Sequence, residues 1–194
     1  LILLAAGLSK RFKSKQNKIF VDFNGKPLIL YLLQTIINSG MFETITLTIN
    51  NQDKEALSEL ISDDDSFSSV QVIEGGKTRH QSEEKALQHL EAKGVDAEDL
   101  ISIHDVARSF VDKELIIKLI NVAKEYKSSV PAIKSRIIVD RASSLLLQDQ
   151  GIYYLMQTPQ TFLAKDLFSS YSKANDDQWA GVDTVECIAT YTNT

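Results

Sequence analysis

The sequence predicts an α/β fold on a mostly parallel sheet, and three observations carry that prediction. Short apolar runs alternate with stretches of helical period from one end of the 194-residue chain to the other, the pattern of successive βα units. The first run, residues 1–5, is continuously apolar, as suits a strand covered on both faces. Proline and glycine punctuate the helical stretches: Pro27 opens residues 28–38 and Gly40 closes them.

In chain order, residues 1–5 form a strand that feeds a long polar, cationic segment ending at Lys18. After the helix over 28–38, residues 44–49 are rich in β-branched side chains and read as the second strand. Helical spacing follows over 52–61, and then an acidic tract, Asp63, Asp64 and Asp65, that belongs in a solvated loop. Residues 70–74 give a third strand, 80–92 a third helix stopped by Gly94, and 100–104 a fourth strand. Residues 112–123 are the next helix and 129–132 another strand. Over 137–157 the helical pattern disappears and β-prone residues alternate with polar ones, which marks an antiparallel excursion from the main sheet. Residues 165–172 form a short helix, and 187–191 a closing strand. No repeat, low-complexity linker or boundary interrupts the chain, so residues 1–194 are expected to make a single domain.

Composition narrows the class of function. With 43% hydrophobic and 24% charged residues the chain is an ordinary globular one, and no apolar stretch reaches the ~20 residues of a membrane helix. A single cysteine, Cys187, cannot form an internal disulfide, and with three histidines there is no Cys/His cluster of zinc spacing, so a reducing, cytoplasmic setting is expected. The net charge of −5 argues against bulk attraction to nucleic acid or to anionic membranes. Charge is concentrated locally instead. Lys10, Arg11, Lys13, Lys15 and Lys18 lie close together, with no acidic residue before Asp22, a segment suited to meeting an anion. The chain opens at Leu1, inside an apolar run and without Met, so a few further N-terminal residues are expected ahead of it.

In open α/β sheets ligands bind beyond the carboxyl ends of the strands, so polar residues just after each strand are the ones to collect. After the first come Ala5, Ala6 and Gly7, small enough to let backbone N–H groups approach phosphate oxygens, then the cations Lys10, Arg11 and Lys18. Neither a Walker A loop nor a dinucleotide fingerprint is present, and the composition suits a basic surface loop equally well. After the third come Gly75, Gly76, Lys77, Thr78, Arg79 and Ser82: paired glycines permit a tight turn, and the Ser82 hydroxyl suits a base or ribose. After the fourth come His104, Asp105, Ala107 and Arg108, where Asp105 is placed either to ligate Mg2+ beside phosphates or to cap a turn. Gln157, Thr158, Pro159, Gln160 and Phe162 precede the next helix, with neutral donors suited to a polar substrate.

Taken together and in order, these residues resemble the family of cytidylyltransferases that make 4-diphosphocytidyl-2-C-methyl-D-erythritol from CTP and 2-C-methyl-D-erythritol 4-phosphate, and the similar family acting on ribitol 5-phosphate. The resemblance spans essentially the whole chain. It rests on Ala5-Ala6-Gly7 with Arg11, on Lys18, Gly25-Lys26-Pro27-Leu28, Gly75-Gly76 with Arg79 and Ser82, His104-Asp105 with Ala107-Arg108, Val130-Pro131-Ala132, and Gln157-Thr158-Pro159-Gln160 with Phe162. It implies a Rossmann-like fold, a protruding β-arm over about 135–157 that pairs two chains in a homodimer, and Mg2+ as cofactor. By the same resemblance Ala5, Ala6, Gly7, Gly76 and Ser82 hold the nucleotide, Arg11 and Lys18 neutralise phosphates, and Asp105 binds Mg2+. Arg108, Thr158 and Asp183 approach the sugar phosphate.

The chain departs from that pattern in places. Ser9 stands where the family usually has a second glycine, Ser109 where it has proline, and Lys134-Ser135 where it has Asp-Thr. Gln150 stands at an expected arginine, so a substrate-phosphate contact in the arm is either missing or supplied by Arg141, and the Thr-Asp-acid motif is reduced to Val182-Asp183-Thr184. The sequence stops at Thr194, short of the family's C-terminal stretch with a further phosphate-binding lysine, so that stretch is expected either to lie outside this sequence or to be lacking. The expected reaction is transfer of CMP from CTP to methylerythritol phosphate. The other readings are a ribitol 5-phosphate acceptor, a CTP-binding homologue without transfer, and an interaction domain without a ligand.

Overall fold

The computed structural model describes residues 1–7, 17–62, 64–135, 138–139, 146–147 and 152–192. Its centre is a six-stranded sheet. Strand β1 (Ile2–Leu4) is followed by a small antiparallel hairpin of β2 (Asp22–Phe23) and β3 (Lys26–Pro27), then helix α1 (Leu28–Ser39) and strand β4 (Ile45–Ile49). Helix α2 (Lys54–Ser62), strand β5 (Val70–Glu74), helix α3 (Arg79–Ala92), strand β6 (Leu100–Asp105) and helix α4 (Lys113–Tyr126) continue the alternation. The edge strand β7 (Ser128–Ser129) precedes β8 (Ala132–Ser135), β9 (Ile138–Val139), β10 (Leu146–Leu147) and β11 (Tyr153–Met156). Strand β12 (Gln160–Leu163), helix α5 (Ala164–Asp176) and helix α6 (Thr184–Tyr191) complete the fold.

The sheet runs in the order β5-β4-β1-β6-β12-β7, with β5, β4, β1 and β6 parallel and β12 antiparallel to both its neighbours. Successive side chains of β1 point to opposite faces, so Leu1, Leu3 and Ala5 join one core and Ile2 the other. On the first face α1 buries Ile29, Leu32, Leu33 and Ile36, the spacing of a helical stripe. On the second, Ala86, Leu87 and Leu90 of α3 meet Leu167 and Tyr171 of α5 and Cys187 and Ile188 of α6. Each fully buried leucine or isoleucine there contributes about 1.5–3 kcal/mol relative to exposure.

The expected α/β alternation is present, with three corrections. Residues 187–191 are helix, not strand. Asp183 caps α6 by accepting a bond from the Val185 N–H at 2.8 Å, and Cys187, Ile188 and Tyr191 fall on the face turned to the second core. Thr184, Val185, Ile188 and Thr190 are β-branched, and their weak strand preference yields to that cap and packing. The strand expected over 129–132 is two strands, because Pro131 has no N–H to donate and the chain leaves the sheet at Val130-Pro131. Gln160–Leu163, not anticipated as a strand, lies between β6 and β7 and is buried throughout.

The antiparallel excursion is a ladder of β8 with β11, running from Ala132 opposite Met156 to Ser135 opposite Tyr153, continued by the pair β9 and β10. It starts at Ala132, five residues before the excursion expected over 137–157 and three before the arm expected from about 135, and among the described residues it forms no ladder with the six-stranded sheet. Ile133, Tyr154, Leu155 and Met156 on it are exposed. No helix among the described residues is long and apolar enough to cross a membrane.

Candidate active site

The strand order reverses between β1 and β6: the chain winds outward from β1 through β4 to β5, then returns to place β6 on the other side of β1. Loops leaving two such strands diverge, and the gap at their carboxyl ends is where open α/β sheets bind ligands. A cavity of about 580 Å3 lies there. Ala5, Ala6 and Gly7 line it from β1, Asp105 and Arg108 from β6, and Lys18 from the start of a short helical turn.

Close packing beyond β5 shapes one wall. A Cβ added to Gly75 would stand 2.3 Å from the Ala6 Cβ, so the β1 and β5 ends meet only because residue 75 has no side chain. Gly76 is held as tightly, 2.7 Å from the Gln81 carbonyl carbon on the same measure. By contrast a Cβ on Gly7 would meet no atom of the described residues within 4 Å. The loop is locked by side chains of α3: Ser82 Oγ accepts from the Gly76 N–H at 2.9 Å and donates to the Thr78 carbonyl at 2.9 Å, while Gln81 accepts from the Lys77 N–H at 2.9 Å. Ser82 therefore spends its proton on the loop itself. Asn17 ties the other wall down by donating to Asp53 at 2.8 Å.

Beneath Asp105 lies a chain of bonds with a defined direction. His104 Nε2 is 3.2 Å from the Arg108 carbonyl, which can only accept, so that nitrogen carries the proton and Nδ1 is an acceptor. The Thr158 hydroxyl, 2.9 Å away, then donates to Nδ1 and accepts from the Asp105 N–H at 3.3 Å. Burial pushes the His104 pKa down to about 4, so the ring is neutral at physiological pH. The Thr158–Pro159 peptide bond is cis.

Arg79, the first residue of α3, is the electrostatic centre of the site. Its guanidinium lies 3.1 Å from Glu83 and 3.5 Å from each of Asp105 and Asp183. Burial works against its charge, but Glu83, Asp105 and Asp183 outweigh that and hold its pKa above the ordinary value. Glu83 is buried, and burial raises its pKa although Arg79 and hydrogen bonds from Tyr171 and Thr184 oppose the shift. Arg108 reaches the other oxygen of Asp105 at 3.5 Å and bonds to Gln157.

The structure thus brings Ala5, Ala6, Gly7, Lys18, Gly76, Ser82, Asp105 and Arg108 to one cavity. Thr158 is buried behind Asp105, and Asp183 joins through Arg79 and through the Gln160 amide at 3.2 Å. Arg11 lies outside the described residues, as do Ser9, Lys10, Lys13, Lys15, Arg141 and Gln150. Sequence reasoning placed Arg79 in a motif without giving it a role, and passed over Glu83; their i, i+4 spacing on a helix was the available signal. Trp179 packs on His80 and Tyr191.

The donor set fits a divalent cation that arrives with phosphates. Asp105 and Asp183 both face the Arg79 guanidinium, one at each of its terminal nitrogens, and among the described residues no three His, Cys, Asp or Glu side chains gather to hold a metal alone. Mg2+ commonly takes one or two carboxylates and completes its shell with phosphate oxygens and water.

The family model described as 2-C-methyl-D-erythritol 4-phosphate cytidylyltransferase matches residues 1–192. The enzyme of that name from Thermosipho africanus is 35% identical over 89% of this chain and 76% of its own length. The Bacillus velezensis enzyme is 27% identical over 96% of this chain and 80% of its own. The crystal structure of the Francisella tularensis enzyme, at 21% identity, superposes with a TM-score of 0.79 over 97% of this chain and 84% of its own, a likeness of fold.

Proposed function

The chain belongs to the 2-C-methyl-D-erythritol 4-phosphate cytidylyltransferase family, and from that premise we propose that its switch-point cavity transfers CMP from CTP to 2-C-methyl-D-erythritol 4-phosphate, releasing pyrophosphate. The observation that carries the reading is the convergence of Lys18, Arg79 and Arg108 with Asp105 on one cavity at the carboxyl ends of β1 and β6. A phosphate oxygen of the acceptor attacks the α-phosphorus of CTP in line, and the bond to the pyrophosphate oxygen breaks. A phosphate monoester has its second pKa near ~6 and is already mostly a dianion at neutral pH, so no general base is needed. His104, neutral and tied at both nitrogens, is consistent with that.

What the protein supplies is position and positive charge, since two anions must meet and charge spreads over the phosphoryl oxygens. Lys18 neutralises nucleotide phosphate across the cavity; Arg108 faces the acceptor side, steered by Asp105 and Gln157. Ala5, Ala6 and Gly7 leave room for the nucleotide beside the first strand, and Gly76 and Ser82 form the facing wall. Mg2+, held by Asp105 and Asp183, would neutralise phosphate charge. Two chains pair through the β8–β11 hairpin, a reading supported by its exposed apolar side chains, and a single buried thiol at Cys187 suits a cytoplasmic setting.

The test is pyrophosphate release from CTP and Mg2+ with methylerythritol phosphate and, separately, with ribitol 5-phosphate. Turnover is expected with the first. Lys18→Ala and Asp105→Ala are expected to lower kcat by ~10²–10³ with the fold intact, by comparison with loss of one preorganised electrostatic group. Near-wild-type rates in both variants would falsify the assignment, and turnover with ribitol 5-phosphate alone would reassign the acceptor.

A further inference from the structure

Arg79 holds a position that phosphate binding alone does not explain. Asp105 ends a strand and Asp183 precedes a helix, and the only described cation that reaches both is this guanidinium, with Nη2 at 3.5 Å from Asp105 and Nη1 at 3.5 Å from Asp183. Its four polar contacts are not equal. The inner one, to Glu83, is 3.1 Å long and ends on a carboxylate whose side chain is 2% exposed. Glu83 is in turn fixed by Tyr171 and by Thr184 at 2.8 Å, and Thr184 lies 3.5 Å from Arg79 as well. The outer two are longer and end on carboxylates about a third exposed, 30% for Asp105 and 32% for Asp183. Among the described residues the Arg79 Nε is buried without a hydrogen-bond partner, so this arrangement leaves part of the fork unsatisfied. The guanidinium can therefore release its outer partners and remain anchored on the inner one.

Those outer partners are the carboxylates that would bind a divalent cation. A guanidinium and a metal ion cannot share them at close range, because like charges a few ångströms apart repel strongly where water is partly excluded. Arg108 does not have the same effect: of the two carboxylates it reaches only Asp105, and its side chain is 46% exposed.

We infer that Arg79 is a place-holding cation, which stands between Asp105 and Asp183 before nucleotide binds and bars free divalent metal from them, so that metal enters this site only together with phosphates. The inference rests on the reading of the cavity as a nucleotide–metal site. It gives Glu83 a task too, as the buried partner that keeps Arg79 when the outer carboxylates are given up. Asp105 and Asp183 are thereby held in place ahead of substrate, and a metal ion cannot settle on them without its nucleotide.

The test uses Mn2+ as probe, with free ion followed by its paramagnetic resonance signal. Without nucleotide, the Arg79→Gln variant is expected to bind Mn2+ at least ~10-fold more tightly than the wild type, and Arg79→Gln/Asp183→Asn to lose that gain. Equal affinity in wild type and Arg79→Gln overturns the inference. Because Arg79→Gln leaves Glu83 facing no cation, Arg79→Gln/Glu83→Gln removes both buried charges and is expected to show the same gain. The wild type decides independently of any variant: tight Mn2+ binding that needs no CTP also overturns the inference. Failure of CTP to recruit Mn2+ to the wild type counts against the nucleotide–metal reading instead, while the nucleotide-free comparison still judges Arg79.

Discussion

Thr158 shows how little freedom a single hydroxyl can have. Its proton goes to His104 Nδ1 and its oxygen accepts from the Asp105 N–H, so replacement by valine, nearly the same shape, leaves a buried acceptor and a buried donor unpaired. Thr158→Val is expected to lose ~1–3 kcal/mol in urea unfolding and Thr158→Ser much less; a larger loss in Thr158→Ser than in Thr158→Val would mean the methyl group matters and the bonds do not. His104 adds a pH dependence of fixed sign. Unfolded, its imidazole titrates near ~6.5, whereas in the folded chain burial holds its pKa at about 4, with Asp105 and Arg108 the charged groups nearest to it. Between those values only the unfolded chain takes up the proton. The stability His104 contributes is therefore complete above pH ~6.5 and is lost as pH falls toward 4, by up to about 3 kcal/mol. Urea unfolding at a series of pH values should show a shallower acid-side slope for His104→Gln than for the wild type. An identical slope would assign the titration elsewhere. None of this was legible in the sequence, where His104 and Thr158 are far apart and each suits a turn or a core equally well.

At the scale of elements, the loops after β1, β5 and β6 were readable because ligand chemistry gathers at strand ends and marks them with small and charged residues. Strand β12 was not. Gln160 and Thr161 are polar yet wholly buried, and their partners, Asp183 for one and Ser102 at 2.7 Å for the other, come from remote parts of the chain. Helix α6 was misread for a related reason: its cap, Asp183, belongs equally to the site, and no local pattern reveals both roles. The two are separable by substitution. Asp183→Asn keeps a good capping side chain and removes the charge facing Arg79, whereas Asp183→Ala removes both. Thermal unfolding should therefore place Asp183→Asn above Asp183→Ala by ~1 kcal/mol, while both lose turnover. A cap-preserving variant with full activity would confine Asp183 to structure.

Over the whole molecule, the β8–β11 hairpin stands outside the six-stranded sheet and exposes apolar side chains. Ile133 and Leu155 lie opposite each other on one side of the hairpin and Tyr154 and Met156 on the other, all exposed, and a second copy of the chain is expected to bury apolar surface here. Sedimentation velocity at micromolar concentration should give a dimer for the wild type and a monomer for Leu155→Glu; a wild-type monomer would remove the hairpin from that role. At the opposite end of the scale of contacts, the ends of β1 and β5 meet at a point where a single added carbon would lie 2.3 Å from another. Positions 6 and 75 divide one volume between them: the Ala6 methyl occupies the space a side chain at 75 would need, so any residue larger than glycine there must displace it.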